Sequence, residues 1–216
     1  MEDRKADLIC AGQPLGVEAT VFPCVSAKLL GKALEDKLEI LSRVKAREDN
    51  GDFDYVNEDL SNIYRFQDLV DVCILKTPQN KGWILEDFVC RKLGWKHLPP
   101  WKHNGDGYDL AEKRSYEIKS SFTAEGLLIK QIRLFQKIDR YIYIKVDELE
   151  PEKTEVFLLD HDQMAREVKA NGRRSCKGRA RRGGNQYDIE IQADSHAFSS
   201  WQRHYSNIWF RNKLLS

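Results

Sequence analysis

Between residues 107 and 120 two opposite charges interrupt a run that otherwise reads as the core strands of a hairpin. The segment GYDLAEKRSYEIKS sets Tyr108 and Leu110 before the polar turn AEKRS, and Tyr116 and Ile118 after it, with Glu117 and Lys119 in between. Side chains alternate across a strand, so Glu117 and Lys119 share one face while Tyr116, Ile118 and Ser120 share the other. Ile118 then enters a core and the two charges look outward together. Asp109, between Tyr108 and Leu110 on the partner strand, brings a second carboxylate toward them. Asp106 is a rival for that place, but NGDG has the composition of a turn, and Asp109 fits the strand better.

Two carboxylates and an ammonium that converge suit a hard cation such as Mg²⁺, which keeps several waters and takes one or two carboxylates from protein. Such an ion, bridging a phosphate and a water, favours phosphodiester hydrolysis. Lys119 would orient the water, help deprotonate it, or steady the pentavalent phosphate. The bare pattern of an acid, any residue and a lysine is weak, because it recurs at Asp3/Lys5, Glu35/Lys37 and Glu167/Lys169. Only Glu117/Lys119 lies in an apolar alternating strand with an aspartate before it. The plain alternative is a surface hairpin with a cross-strand salt bridge, which contributes little.

Elsewhere the periodicity predicts helices over residues 26–48, 58–75 and 82–93, the last stopped by Gly94. Strand signals follow at 140–147, 154–160 and 186–192, with helical pieces expected at 129–139 and 161–171. This order implies an α/β fold, a mixed sheet flanked by helices. The division expected is an N-terminal helical lobe over 1–78 and a second unit over 79–216. On the helix WILEDFVCRKL, Leu85, Val89 and Leu93 form an apolar stripe, and Glu86 stands at its margin. A carboxylate at the edge of a buried face calls for a partner. It either pairs with an arginine or reaches solvent, or it is a third acid for the metal site.

A helix with an inward Glu86, a strand with Asp109 and a strand with Glu117-x-Lys119 together resemble the PD-(D/E)XK nuclease superfamily, and EIKSSF followed by IKQIRLFQKIDRYIYIKV resembles type II restriction endonucleases. The resemblance covers about residues 80–160. It implies a restriction-endonuclease-like core of a helix, three strands, a helix and another strand. By this likeness Asp109 and Glu117 hold the metal, Lys119 is the catalytic lysine and Glu86 the helix glutamate. Tyr108 stands where the family often has proline. The cofactor implied is Mg²⁺, with Mn²⁺ as a substitute. The partners implied are double-stranded DNA and a second copy of the chain, in a bacterial or archaeal cytoplasm.

Charge distribution supplies the substrate expectation. The whole chain is balanced, with 35 Lys+Arg against 34 Asp+Glu, yet REVKANGRRSCKGRARRGG over 166–184 concentrates cations. Arg173, Arg174, Lys177, Arg179, Arg181 and Arg182 make a basic arm suited to sequence-blind phosphate contact, or a solvated loop. Forked polar side chains read base edges, and Arg181, Arg182, Asn185 and Gln186 offer them at a loop-to-strand junction. The aromatic tail (Trp201, Tyr205, Ile208, Trp209) reads as core or dimer packing. Gln131 reads as a helix-surface amide.

The remaining classes fall away on composition. Five scattered cysteines without zinc spacing suggest reduced thiols in an intracellular setting. No apolar run approaches the roughly 20 residues of a membrane helix. The sequence has no GxxxxGK[ST] loop for a nucleotide cofactor, no G-x-S-x-G, no HNH spacing and no GIY-YIG glycines. The function expected is sequence-specific endodeoxyribonuclease. A structure-selective repair, recombination or phage nuclease and a non-catalytic DNA-binding protein stay open.

Overall fold

The computed structural model describes residues 27–52, 60–99, 104–122, 126–174 and 185–216, without the side chains of 27–33, 78 and 79. Three helices come first: α1 (Ala27–Asp49), α2 (Phe66–Ile74) and α3 (Pro78–Leu93). Pro78 opens α3, where a missing N–H costs nothing, and Gly94 closes it in the left-handed conformation at φ 69°. The expected end at Gly94 holds, while the start lies four residues before the expected 82.

A mixed five-stranded sheet follows, in the order β1 (Lys96–His97), β2 (Gly107–Asp109), β3 (Arg114–Ser121), β5 (Arg140–Lys145), β6 (Glu155–Asp160). β1, β2 and β3 are antiparallel neighbours, β3 and β5 run parallel, and β6 returns antiparallel to β5. A second sheet holds β4 (Gly126–Ile132), β8 (Tyr187–Gln192) and β7 (Gly172–Arg174). Helices α4 (His161–Asn171), α5 (His196–Tyr205) and α6 (Ile208–Leu215) complete the order. The chain is therefore mixed α/β, as expected.

The large sheet is covered on both faces, which is why β5 reads YIYI rather than alternating. Tyr116, Ile118, Ile142, Ile144 and Val156 bury against α3, with Ile40 and Val44 of α1, α2 and Phe210 of α6 in the same cluster. Helices α1 and α2 thus share one apolar core with the sheet. Arg43 and Arg47 reinforce the join: Arg43 donates to Asp71 at 2.6 Å and to the Leu149 carbonyl at 2.9 Å, and Arg47 donates to Asp71 at 2.7 Å. On the other face Tyr141, Tyr143, Phe157 and Leu159 meet β4, β8, α4 and α5.

One expected element is corrected. Residues 126–132 form a strand and 133–139 lie in turns, where a helix was expected over 129–139. The physical reason is a β-bulge between Ile129 and Ile132, which lets both side chains face inward although they are three residues apart. That spacing imitates helical periodicity. Gln131 sits in the bulge at φ 60°, exposed, with its N–H donating to Asp188 at 2.8 Å. A parallel crossover is usually helical. Here the β3–β5 crossover instead passes through a strand of the second sheet.

The tail is divided. Trp201 is buried, but the helix breaks after Tyr205, leaving Ile208 and Trp209 exposed on α6. No helix among the described residues is long and apolar enough to cross a membrane.

Candidate active site

β3 places Glu117 and Lys119 on one face, opposite Tyr141 and Tyr143 of β5 in register. The expectation that both look outward is corrected. That face carries the second sheet, so Glu117 is buried and Lys119 keeps 26% of its side chain exposed. Ile129, Ile132 and Met164 close over them, with Tyr141 and Tyr143, around a cavity of about 10 Å³. Burial forces pairing, and Lys119 Nζ lies 2.6 Å from Glu117 Oε1.

The second carboxylate at this ammonium is Asp106. Its Oδ2 is 3.5 Å from Lys119 Nζ and accepts from the Ile118 N–H at 2.9 Å. Its own N–H donates to the Tyr116 carbonyl at 2.8 Å, which extends the hairpin ladder past Gly107. Asp109, expected here, faces Arg114 instead. It lies three strand positions from the residue opposite Glu117, about 10 Å at the usual rise. Its Oδ1 accepts from the N–H groups of Ala111 at 2.8 Å and Glu112 at 3.1 Å, so it shapes the hairpin turn.

The glycines that made NGDG look like a turn are there for close approach. At Gly105 (φ 89°) a Cβ would stand 2.4 Å from the Tyr116 carbonyl oxygen. At Gly107 it would stand 3.0 Å from Cys90 Sγ. A sequence signal for Asp106 did exist. Pairing Asp109 with Arg114 across a four-residue turn sets Gly107 against Tyr116, and the next step sets Asp106 against Glu117.

Glu86 joins the cluster from α3. Burial, then the charges of Asp106 and Glu117, push its carboxyl up from the ordinary 4.5 to about 8, against the pull of Lys119. Burial also raises Glu117, with Asp106 adding to the rise and Lys119 opposing it. Lys119 is desolvated, but Glu117 and Asp106 outweigh that and hold it above the ordinary lysine range. Two carboxylates thus contact one ammonium, and Glu86 lies within the field of all three.

Glu86 carries a stability signature. Its folded value is raised, so its contribution is complete below about 4.5 and is lost as pH rises toward about 8. Glu86→Gln is expected to flatten that slope and to stabilise the fold by about 1–2 kcal/mol above pH 8, since solvent reaches part of the side chain. Thermal unfolding of both proteins from pH 5 to 9 checks it. Parallel profiles would place Glu86 outside the cluster's field.

Among the described residues no group of three or more His, Cys, Asp or Glu side chains is arranged to hold a metal ion. Two buried polar atoms near Glu117 have no hydrogen-bond partner, the Tyr141 hydroxyl and Arg133 Nε. The charge of Glu117 also acts on Tyr141, whose hydroxyl burial already holds well above its ordinary range.

The expected DNA-binding residues are only partly described. Arg173 donates to Glu190 at 2.7 Å and Arg174 to the Asn185 side chain at 2.8 Å, both at the β7–β8 edge. Gln186 Oε1 is buried without a partner. Lys177, Arg179, Arg181 and Arg182 lie outside the described residues. No protein-family model matches this chain, and neither does any curated protein.

Proposed function

We propose that the chain is a Mg²⁺-dependent endodeoxyribonuclease of the PD-(D/E)XK kind, cutting double-stranded DNA at specific sites as type II restriction enzymes do. The observation that carries this reading is the Glu117–Lys119–Asp106 contact on the central strand of a mixed sheet, with Glu86 on the helix before it. Asp106 takes the place first given to Asp109. The strand β4 departs from the helix that the family core would have there.

The residues fit the cation. A Mg²⁺ site needs only one or two carboxylates beside waters and phosphate, so a protein cage of three ligands is not required. Asp106 and Glu117 would hold it, and Mn²⁺ suits the same oxygen donors. Once bound, the ion would polarise the phosphate and acidify a water. Lys119, held charged by its two carboxylates, is a hydrogen-bond donor to phosphate oxygens or water rather than a base. Glu86, pushed up to about 8, is the group able to hold or release a proton near neutral pH. Arg173 and Arg174 would meet the DNA backbone and Asn185 would meet base edges, whereas Gln186 has its Oε1 buried away from that role. Cutting both strands of a palindrome calls for a twofold dimer, because each site cleaves one strand.

Incubation of the purified protein with unmethylated phage DNA, with Mg²⁺ or with EDTA, tests this. Discrete fragments that require Mg²⁺ are expected. A smear would instead favour a structure-selective or non-specific nuclease, and binding without cleavage would leave a non-catalytic DNA-binding protein.

A further inference from the structure

Several arginines beside acids in this fold are paired. Arg43, Arg47, Arg65 and Arg91 each donate to a carboxylate. Arg133 differs. It follows β4 directly, next to Ile132, which lines the cavity over Glu117 and Lys119. Its Nε is buried without a hydrogen-bond partner, and among the described residues its guanidinium is in no ion pair. Its charge reaches Glu117 all the same. An arginine that is partly exposed as a residue, has a buried Nε without a partner and acts by its charge on Glu117 is placed for an anion that arrives with the substrate.

We propose that Arg133 is a further catalytic residue of this site, binding the non-bridging oxygens of the phosphodiester that is cut. The inference rests on the nuclease reading. In the reaction a water oxygen bonds to phosphorus, and the bond from phosphorus to the leaving sugar oxygen breaks. The water's proton goes to the site's base, and the leaving oxygen takes a proton from solvent or from an acid. Arg133 stays charged throughout and neutralises the charge gathering on the equatorial oxygens. The planar fork, not charge alone, does this, so lysine is a poor substitute.

The test compares wild type with Arg133→Ala and Arg133→Lys. It measures kcat and KM with Mg²⁺, binding of a 20-base-pair duplex in EDTA across salt concentrations, and thermal unfolding. With an active wild type, Arg133→Ala is expected to lose about 10²–10³-fold in kcat, with KM changed less than threefold. Arg133→Lys is expected to recover a tenth or less, and both variants to stay folded at assay temperature. A kcat within threefold of wild type in Arg133→Ala, or full recovery in Arg133→Lys, would overturn the role and leave the nuclease reading standing. If wild type does not cleave, duplex binding decides. Weaker binding by Arg133→Ala, with the salt slope reduced by about one, supports the phosphate contact alone. Unchanged binding overturns it.

Discussion

Lys119→Met is expected to abolish cleavage and to unbalance the fold at neutral pH. The two effects have one cause. Among the described residues Lys119 is the only ammonium in contact with Glu117, at 2.6 Å, and Glu117 is buried. Removing it takes a charged donor from the phosphate and leaves a buried carboxylate without its counter-ion. The first loss is about 10²–10³-fold in rate. The second is about 2–3 kcal/mol, below the usual cost of breaking a fully buried pair because Lys119 is partly exposed. The sign with pH follows from Glu117. Its carboxyl is already raised and rises further without Lys119, so the variant is most stable at acid pH and loses stability as pH climbs above about 4.5. The double variant Glu117→Gln/Lys119→Met removes both charges. It is expected to unfold within about 1 kcal/mol of wild type and still to be inactive. An active Lys119→Met would remove the lysine from the chemistry. A double variant as unstable as the single one would show that the pair is not what Glu117 depends on.

Much of the scaffold was readable because local pattern and tertiary role agree there. Helix α3 has glycine at its end and a regular apolar stripe, although its start at Pro78 was not foreseen. Strands β5, β6 and β8 are β-branched, aromatic or apolar runs long enough to identify, and Glu117-x-Lys119 is recognisable because its charges interrupt a core strand. What was missed depends on backbone detail that residue types disguise. The bulge in β4 gave Ile129 and Ile132 a helical spacing inside a strand. Gly105 and Gly107 looked like a turn, although they allow β2 to lie close to β3 and α3. The direction of the charged face was missed for a different reason. Which face of β3 receives a second sheet depends on the nearby β4 pairing with β8 much farther along the chain, so the burial of Glu117 has no local signal.

Asp106→Asn and Asp109→Ala are expected to separate cleanly, which decides between two aspartates that the sequence alone ranks the wrong way for proximity to Lys119. Asparagine at 106 keeps an oxygen for the Ile118 N–H but loses the charge beside Lys119, so cleavage is expected to fall by about 10²–10³-fold with the fold intact. Asp109→Ala removes two turn hydrogen bonds from an exposed hairpin end. It is expected to cost about 1 kcal/mol and to leave cleavage within threefold. A readout independent of catalysis comes from Glu86. After burial, the charge of Asp106 is the next largest influence holding that carboxyl up near 8, and Asp109 is not among its influences. Asp106→Asn should therefore move the pH-dependent loss of stability to lower pH, and Asp109→Ala should leave it in place. Unfolding midpoints across pH 5 to 9 measure this whether or not the protein cuts DNA. If Asp109→Ala moves the Glu86 transition and Asp106→Asn does not, the register of the β2–β3 hairpin is not the one described, and the metal-holding role returns to Asp109.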